Sequence, residues 1–431
     1  MGDRPSKLRV AWTAGRLAGR RLLRREVGSA DLALGEQLTG QLDRMKGLAM
    51  KVGQIVSYMD VPLPEAVQQQ LARLQTGQHA MPEPEVRAAI EAALGRPLDE
   101  LFDAFEPTPV AAASIGQVHR ARVGERAVAV KVQYPEVERS FADDLGSIGR
   151  FASLASLASA VDGSAIVEEL GARLAEECDY QREATTQHAF ARAFADDPEV
   201  VVPEVVPSRC APTVLTTTWV DGDDFETLCH DPDDARRNAV ARTLVRFSYR
   251  CLLELAAIQA DPHPGNYVFV PDGTVAFLDF GCVRRLEPAF VLSLRRMITA
   301  LRDRDDAGFR EAVLAMGVVG RPRKFDYEHF GRVMEHLHRP LLRPSFRFGP
   351  EFMHEGLALN GPGSPNARTL AIPPAYVWVM RLQWGLWSIL GRLRAQGSFD
   401  GLLDDLLSRP VRPMLEAEPG AEARDPTPAP R

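Results

Sequence analysis

The chain has 431 residues, 45% hydrophobic and 25% charged, which is enough apolar material for one large or two modest cores. Its net charge of -7 argues against a general nucleic-acid binder. Five cysteines (Cys178, Cys210, Cys229, Cys251 and Cys282), none at CxxC spacing, do not suggest a disulfide framework and argue against a zinc site.

The first 25 residues carry eight Lys or Arg against the single acid Asp3, a local charge of about +7 that leaves about -14 elsewhere. They hold no continuous apolar core of a secretory signal, so none is expected. No run of about 18 apolar, uncharged residues occurs; the nearest, 371 to 391, contains Pro373, Pro374 and Arg381. The expected location is therefore cytoplasmic, with the basic segment able to lie peripherally on the anionic inner face of a membrane through Trp12, Leu17, Leu22 and Leu23.

Residues 8 to 60 read as helical, with Leu38, Leu42, Met45, Leu48, Val52, Ile55 and Val56 mostly at three- and four-residue spacings. Pro62 and Pro64 end that run, and further helices follow at about 65 to 74 and 85 to 94, the latter stopped by Gly95 and Pro97. The character changes near Pro107. Val110–Val123 and Arg126–Val132 read as two strands joined at Gly124-Glu125. Residues 136 to 198 read as helix, and 200 to 206 and 213 to 220 as strands. From about Asp234 the chain reads as mostly helical, apart from short strands near 267–270 and 275–278. The aromatic stretch Tyr376, Trp378, Trp384 and Trp387 reads as core. The Pro-rich tail after Glu416 reads as disordered. The expected organisation is a basic segment (1–30), a helical extension (31–105), a small lobe with a helical insertion (106–221), a helical lobe (222–415) and a tail (416–431).

The strongest chemical signal is Asp261-Pro-His263-Pro-Gly-Asn266 followed by Asp279-Phe-Gly281. Phosphoryl transfer needs a carboxylate near the attacking group and oxygen ligands for Mg2+ on the phosphates. Kinases supply them as an Asp, an Asn five residues on, and a second Asp beyond a hairpin. Asp261 and Asn266 have that separation, and a turn at Asp272-Gly273 would bring Asn266 and Asp279 to one end of a hairpin. Lys131, inside the apolar run 128–132, needs a partner or a ligand. Glu177, Asp179 and Glu183 are the acids on offer; Asp179 and Glu183, four apart, would share one helical face. Ala111-Ala112-Ala113-Ser114-Ile-Gly116 stands where a phosphate loop should, with a single Gly.

These motifs, together with Lys51-Val-Gly-Gln54, resemble the UbiB/AarF family of atypical kinase-like proteins over roughly residues 35 to 400. The resemblance implies an α+β, bilobal protein-kinase-like fold. It implies ATP and Mg2+ as cofactors, with Lys131 on the phosphates and Glu183 as its ion-pair partner. Ala111, Ala112, Ala113, Ser114 and Gly116 would border the nucleotide. Asp261 would act as the catalytic Asp, and Asn266 and Asp279 as Mg2+ ligands. Lys51 and Gln54 would fold over the nucleotide site, received by Glu177 and Asp179. Two positions depart from the family pattern: Cys178 where an aliphatic residue is common, and Gln259 where His is common.

The segment after Gly281 turns helical within about six residues and has no APE element, so a peptide-docking platform is not expected. An ATPase or small-molecule kinase is therefore favoured. The resemblance implies work in isoprenoid-quinone metabolism at a membrane, with an isoprenoid or lipid-like partner. A nucleotide-gated scaffold and a protein kinase are the alternatives. Oligomeric state is not legible.

Overall fold

The computed structural model describes residues 80–113, 115–135, 178–361 and 363–415. The chain divides into two compact units: residues up to Ala184 with Val205–Trp219, and Thr185–Glu204 with Val220 onward.

The first unit is a sheet backed by two helices, α1 (Glu83–Leu94) and α2 (Leu98–Leu101). The expected start of α1 at 85 is two residues late, because Pro82 precedes the helix and its fixed φ suits that entry. Gly95 ends the helix at φ 68, a left-handed conformation that suits glycine. The strands are β1 (Ala104–Phe105), β2 (Ala111–Ala113), β3 (Gly116–Val123) and β4 (Arg126–Gln133), joined later in the chain by β6 (Val214–Thr218). Their order is β1-β3-β4-β6, all antiparallel, with β2 on β3. One face is dry: Val86, Ile90, Leu98 and Leu101 pack on Val128, Val130, Val132 and Val214. The expected boundary at 105/106 falls inside this unit, since β1 already pairs with β3.

The expected single strand Val110–Val123 is in fact a hairpin. Ala113 pairs with Gly116, two residues further along the chain than its neighbour. A Cβ at position 116 would lie 2.2 Å from the carbonyl oxygen of Val132, so only glycine allows β3 to start there.

Between the sheet strands, α3 (Tyr180–Ala193) runs out of the first unit, and its later turns belong to the second. The second unit contains β5 (Val200–Val201), α4 (Phe225–Cys229), α5 (Asp234–Leu253), β7 (Ala257–Gln259), β8 (Tyr267–Phe269), β9 (Val275–Phe277) and β10 (Val283–Arg285). It continues through α6 (Pro288–Asp303), α7 (Asp306–Ala315), α8 (Tyr327–Leu342), β11 (Phe346–Arg347), α9 (Pro350–Asn360), α10 (Pro374–Arg392), β12 (Gln396–Gly397) and α11 (Asp400–Ser408). The expected strand over 200–206 shrinks to two residues, because Pro203 has no N–H to donate. β7, β10, β11 and β12 were not expected; two or three residues carry no readable alternation.

The core of this unit gathers Phe190, Phe247, Phe277, Phe280, Trp387 and Leu390. The aromatic stretch reads as expected: Trp387 and Tyr376 are buried, and Trp378 and Trp384 are half-buried. No described helix is long and apolar enough to cross a membrane.

A buried polar node ties three of these helices together. The Gln383 side-chain amide on α10 donates to Tyr249 Oη on α5 (2.9 Å) and to His338 Nε2 on α8 (3.0 Å), while His338 Nδ1 donates to the Met334 carbonyl (2.8 Å). Both imidazole nitrogens are spoken for in the neutral form, and burial pushes the His338 pKa down to about 4. The unfolded chain therefore binds a proton that the folded chain refuses between about pH 4 and the usual 6.5. Stability is expected to be full above that window and to fall as pH drops through it, by about 3 kcal/mol from this residue. Urea denaturation from pH 7.5 to 4.5 checks this: the His338→Gln chain should show a shallower pH dependence than the wild type.

Candidate active site

In the first unit the apolar alternation of β4 carries Val128, Val130 and Val132 into the core, which turns Lys131 to the other face. There its ammonium donates to both carboxylate oxygens of Glu183, each at 2.9 Å. Glu183 is 3% exposed and Lys131 18%, so both charges are largely out of water. The Lys131 ammonium also lies 4.9 Å from the centre of the Tyr180 ring, within cation–π range. Sequence reasoning missed this role of Tyr180.

Asp179 does not share a helical face with Glu183. It caps the start of α3: its Oδ1 accepts from the backbone N–H of Gln181 (3.0 Å) and Arg182 (3.1 Å). This places the helix so that Glu183, on its first turn, meets Lys131. Gln133 reinforces the placement by donating to the Cys178 carbonyl at 3.2 Å. Ala111, Ala112 and Ala113 form β2 and Gly116 begins β3, so the Ala-rich segment is a ladder rather than an open loop. Next to it, the side-chain amide of Gln117 accepts from Met81 N–H (2.7 Å) and donates to Met81 C=O (3.2 Å) and to His119 Nε2 (2.8 Å). Lys51, Gln54, Ser114 and Glu177 lie outside the described residues.

In the second unit three polar residues share one hydrogen-bonded frame. β7 pairs with β10 and leads directly to Asp261. Pro264–Asn266 is a 3-10 turn whose start is capped by His263, Nδ1 accepting from Gly265 N–H at 3.1 Å. That turn points the Asn266 amide nitrogen at the Asp261 carbonyl, 3.0 Å away. β8 and β9 form the expected hairpin, with Leu278 N–H donating to the Asn266 carbonyl at 2.9 Å. Asp279 follows at once. Its Oδ1 accepts from Gly281 N–H (3.0 Å), and its carbonyl accepts from the Gln259 amide. Asp261, Asn266 and Asp279 therefore stand together. Asp261 also has a partner that sequence reasoning missed: Arg381 on α10 donates to its Oδ1 at 2.8 Å. No local pattern links residues 120 apart.

The donor chemistry fits Mg2+. Asn266 commits its amide nitrogen to Asp261 and keeps its oxygen for another partner, and Asp279 adds a carboxylate. Mg2+ takes hard oxygen donors in small number, completed by water and phosphate. Among the described residues there is no cluster of three His, Cys, Asp or Glu that would suit a metal held by protein alone.

A model of the ABC1 atypical kinase-like domain matches residues 73–313, more than half of the chain. The chain belongs to that family. The family includes the COQ8 proteins of the UbiB group, so the resemblance read from the motifs holds. Among curated ABC1 relatives, the atypical kinase COQ8 of Saccharomyces cerevisiae mitochondria is 31% identical over 66% of this chain and 57% of its own length. The chloroplastic Activity of BC1 complex kinase 3 of Arabidopsis thaliana is 34% identical over 54% of this chain and 34% of its own length. The chain thus spans about a third to just over half of these relatives. Among solved structures, Rv3197 of Mycobacterium tuberculosis in complex with erythromycin superposes with a TM-score of 0.67 at 28% identity, covering 93% of this chain and 98% of that one. The fold is the expected α+β protein-kinase-like one.

The Lys131–Glu183 pair gives a stability test. Lys131→Met takes away the ammonium that faces the buried Glu183 and should cost roughly 3 kcal/mol, because breaking a buried pair costs more than replacing it. Adding Glu183→Leu should restore most of that loss. A double-mutant cycle by urea denaturation measures both.

Proposed function

We propose that the chain is an ATP- and Mg2+-dependent phosphotransferase or ATPase acting on a small molecule rather than a peptide. The observation that carries this reading is the hydrogen-bonded frame around Asp261, Asn266 and Asp279, which assembles one candidate base and two oxygen donors. Lys131, oriented by Glu183, holds the α- and β-phosphates of the nucleotide; Ala111, Ala112, Ala113, Ser114 and Gly116 border them. Asn266 and Asp279 are the residues that would hold Mg2+, which would supply charge neutralisation for the phosphates when bound. Asp261 takes the proton of the attacking water or hydroxyl while the new O–P bond forms. The bond from the γ-phosphorus to the β–γ bridging oxygen breaks, and its electron pair leaves with ADP.

Three features favour a small acceptor. Between Gly281 and α6 the chain is occupied by β10, paired to β7, which leaves little length for a peptide platform. His263, two residues after Asp261, caps a turn and does not offer a charged amine. A relative solved with erythromycin adds a precedent for a small-molecule ligand. We assign the acceptor to isoprenoid or lipid-like molecules at a membrane surface, in keeping with the COQ8 relatives and the basic segment 1–25. Lys51 and Gln54, received by Glu177 and Asp179, are assigned to regulation of nucleotide access.

A nucleotide-gated scaffold is the second reading, favoured by the pairing of Ala111–Ala113 with β3, which commits backbone that a phosphate loop would leave open. One experiment separates the two. ATP turnover with Mg2+, with and without anionic liposomes, should fall at least a hundredfold in Asp279→Asn and Asp261→Asn, in line with loss of a positioned charge or base. ATP-induced thermal stabilisation without any turnover, in wild type and variants alike, would move the protein to the scaffold class.

A further inference from the structure

Helix α10 reaches the Asp261-Pro262 step at two points. Arg381 Nη2 donates to Asp261 Oδ1 at 2.8 Å. One turn along, Gly385 approaches Pro262 so closely that a Cβ there would lie 2.3 Å from the proline Cγ. Residues 381 and 385 share a helical face, so the two contacts act together.

The helix that makes them is itself held. Gln383 is bonded to Tyr249 and His338, and Trp387 Nε1 donates to the Leu337 carbonyl at 3.1 Å. The Arg381 guanidinium lies 5.8 Å from the Trp378 ring centre, and Arg284 lies over the same indole at 5.0 Å. Arg381 therefore leaves a well-fixed element, restrained along its length.

Asp261, in contrast, sits in the irregular stretch between β7 and the 264–266 turn. A carboxylate acting as a base must offer one oxygen at hydrogen-bond distance and in a fixed direction. Regular secondary structure does not supply that direction here. The Arg381 bond supplies a restraint on it, through a donor at 2.8 Å from Oδ1. At 18% and 35% exposure, the pair is too solvated to be worth much as stability, so its value lies in geometry.

We propose that Arg381 is a positioning residue for Asp261, holding the carboxylate in the orientation that accepts the nucleophile's proton. This rests on the reading of Asp261 as proton acceptor. The proton moves from the attacking water or hydroxyl to the Asp261 carboxylate as the O–P bond forms and ADP departs, and it is later released to solvent. Arg381 exchanges no proton, because its guanidinium stays charged.

The test is steady-state Mg2+-ATP turnover on the full chain, with melting temperature recorded for each protein. Arg381→Ala should lower kcat roughly tenfold, as expected for a misplaced reacting group, with the KM for ATP changed less than about twofold. Arg381→Lys should recover several-fold of that loss, since one N–H donor is all the observed contact uses. In an Asp261→Asn background, Arg381→Ala should have little further effect. Unchanged or raised kcat in Arg381→Ala overturns the proposal; a rise would make the ion pair a latch on the base. An equal loss in the Asp261→Asn background, or a loss that tracks melting temperature without Lys rescue, overturns it as well. Wild-type turnover in Asp261→Asn, or none in the unmodified chain, instead removes the proton-acceptor reading beneath it.

Discussion

Charge taken out of water has to be matched by partners that do not move, and that constraint organises the chemistry of this protein. A lysine in the middle of an apolar strand would be costly if left alone. Here it meets a carboxylate that is itself 3% exposed, delivered by a helix whose start is capped by Asp179. The sheet, the cap and the ion pair are therefore one arrangement. Shifting β4 by one residue would turn Lys131 into the dry face and Val130 and Val132 out of it.

In the second unit a charged donor, Arg381, meets Asp261, and neutral donors orient the groups beside it. Asp279 is oriented by the Gly281 amide, and its backbone by Gln259; Asn266 is tied to the carbonyl of Asp261 and to the hairpin. Backbone and side-chain amides orient Asn266 and Asp279 through neutral donors, which suits oxygens offered to a cation. Preorganisation of this kind is what electrostatic catalysis requires, because the dipoles need not reorient as charge develops.

How much of this could be read from the sequence depended on whether the information was local. The interval from Asp261 to Asn266 and the turn residues Asp272-Gly273 encode a hairpin directly, so the assembly of Asn266 and Asp279 was legible. The strand carrying Lys131 was legible from its apolar run. What escaped was carried by three-dimensional neighbours. Arg381 has no sequence relation to Asp261, β7 and β10 are too short to show a period, and the need for glycine at 385 appears only once Pro262 is seen against it. Periodicity puts Asp179 on a helix face because it fixes helix starts poorly, whereas its Asx geometry makes it the start itself. Val110–Val123 reads as continuous because only two residues separate the paired Ala113 and Gly116.

The Gln117 amide has a consequence of a different kind. It imitates a peptide group, accepting from the N–H of Met81 and donating to its C=O, as a neighbouring strand would. Met81 is thus moored to the sheet by one replaceable side chain instead of a row of main-chain bonds. The same amide fixes the His119 tautomer, whose Nδ1 bonds the Glu106 carbonyl at 2.8 Å. A single side chain therefore acts as a coupling pin where the polypeptide enters the sheet. Drawing that pin would uncouple the entry without shifting the register of β3, which its eight-residue pairing with β4 holds independently.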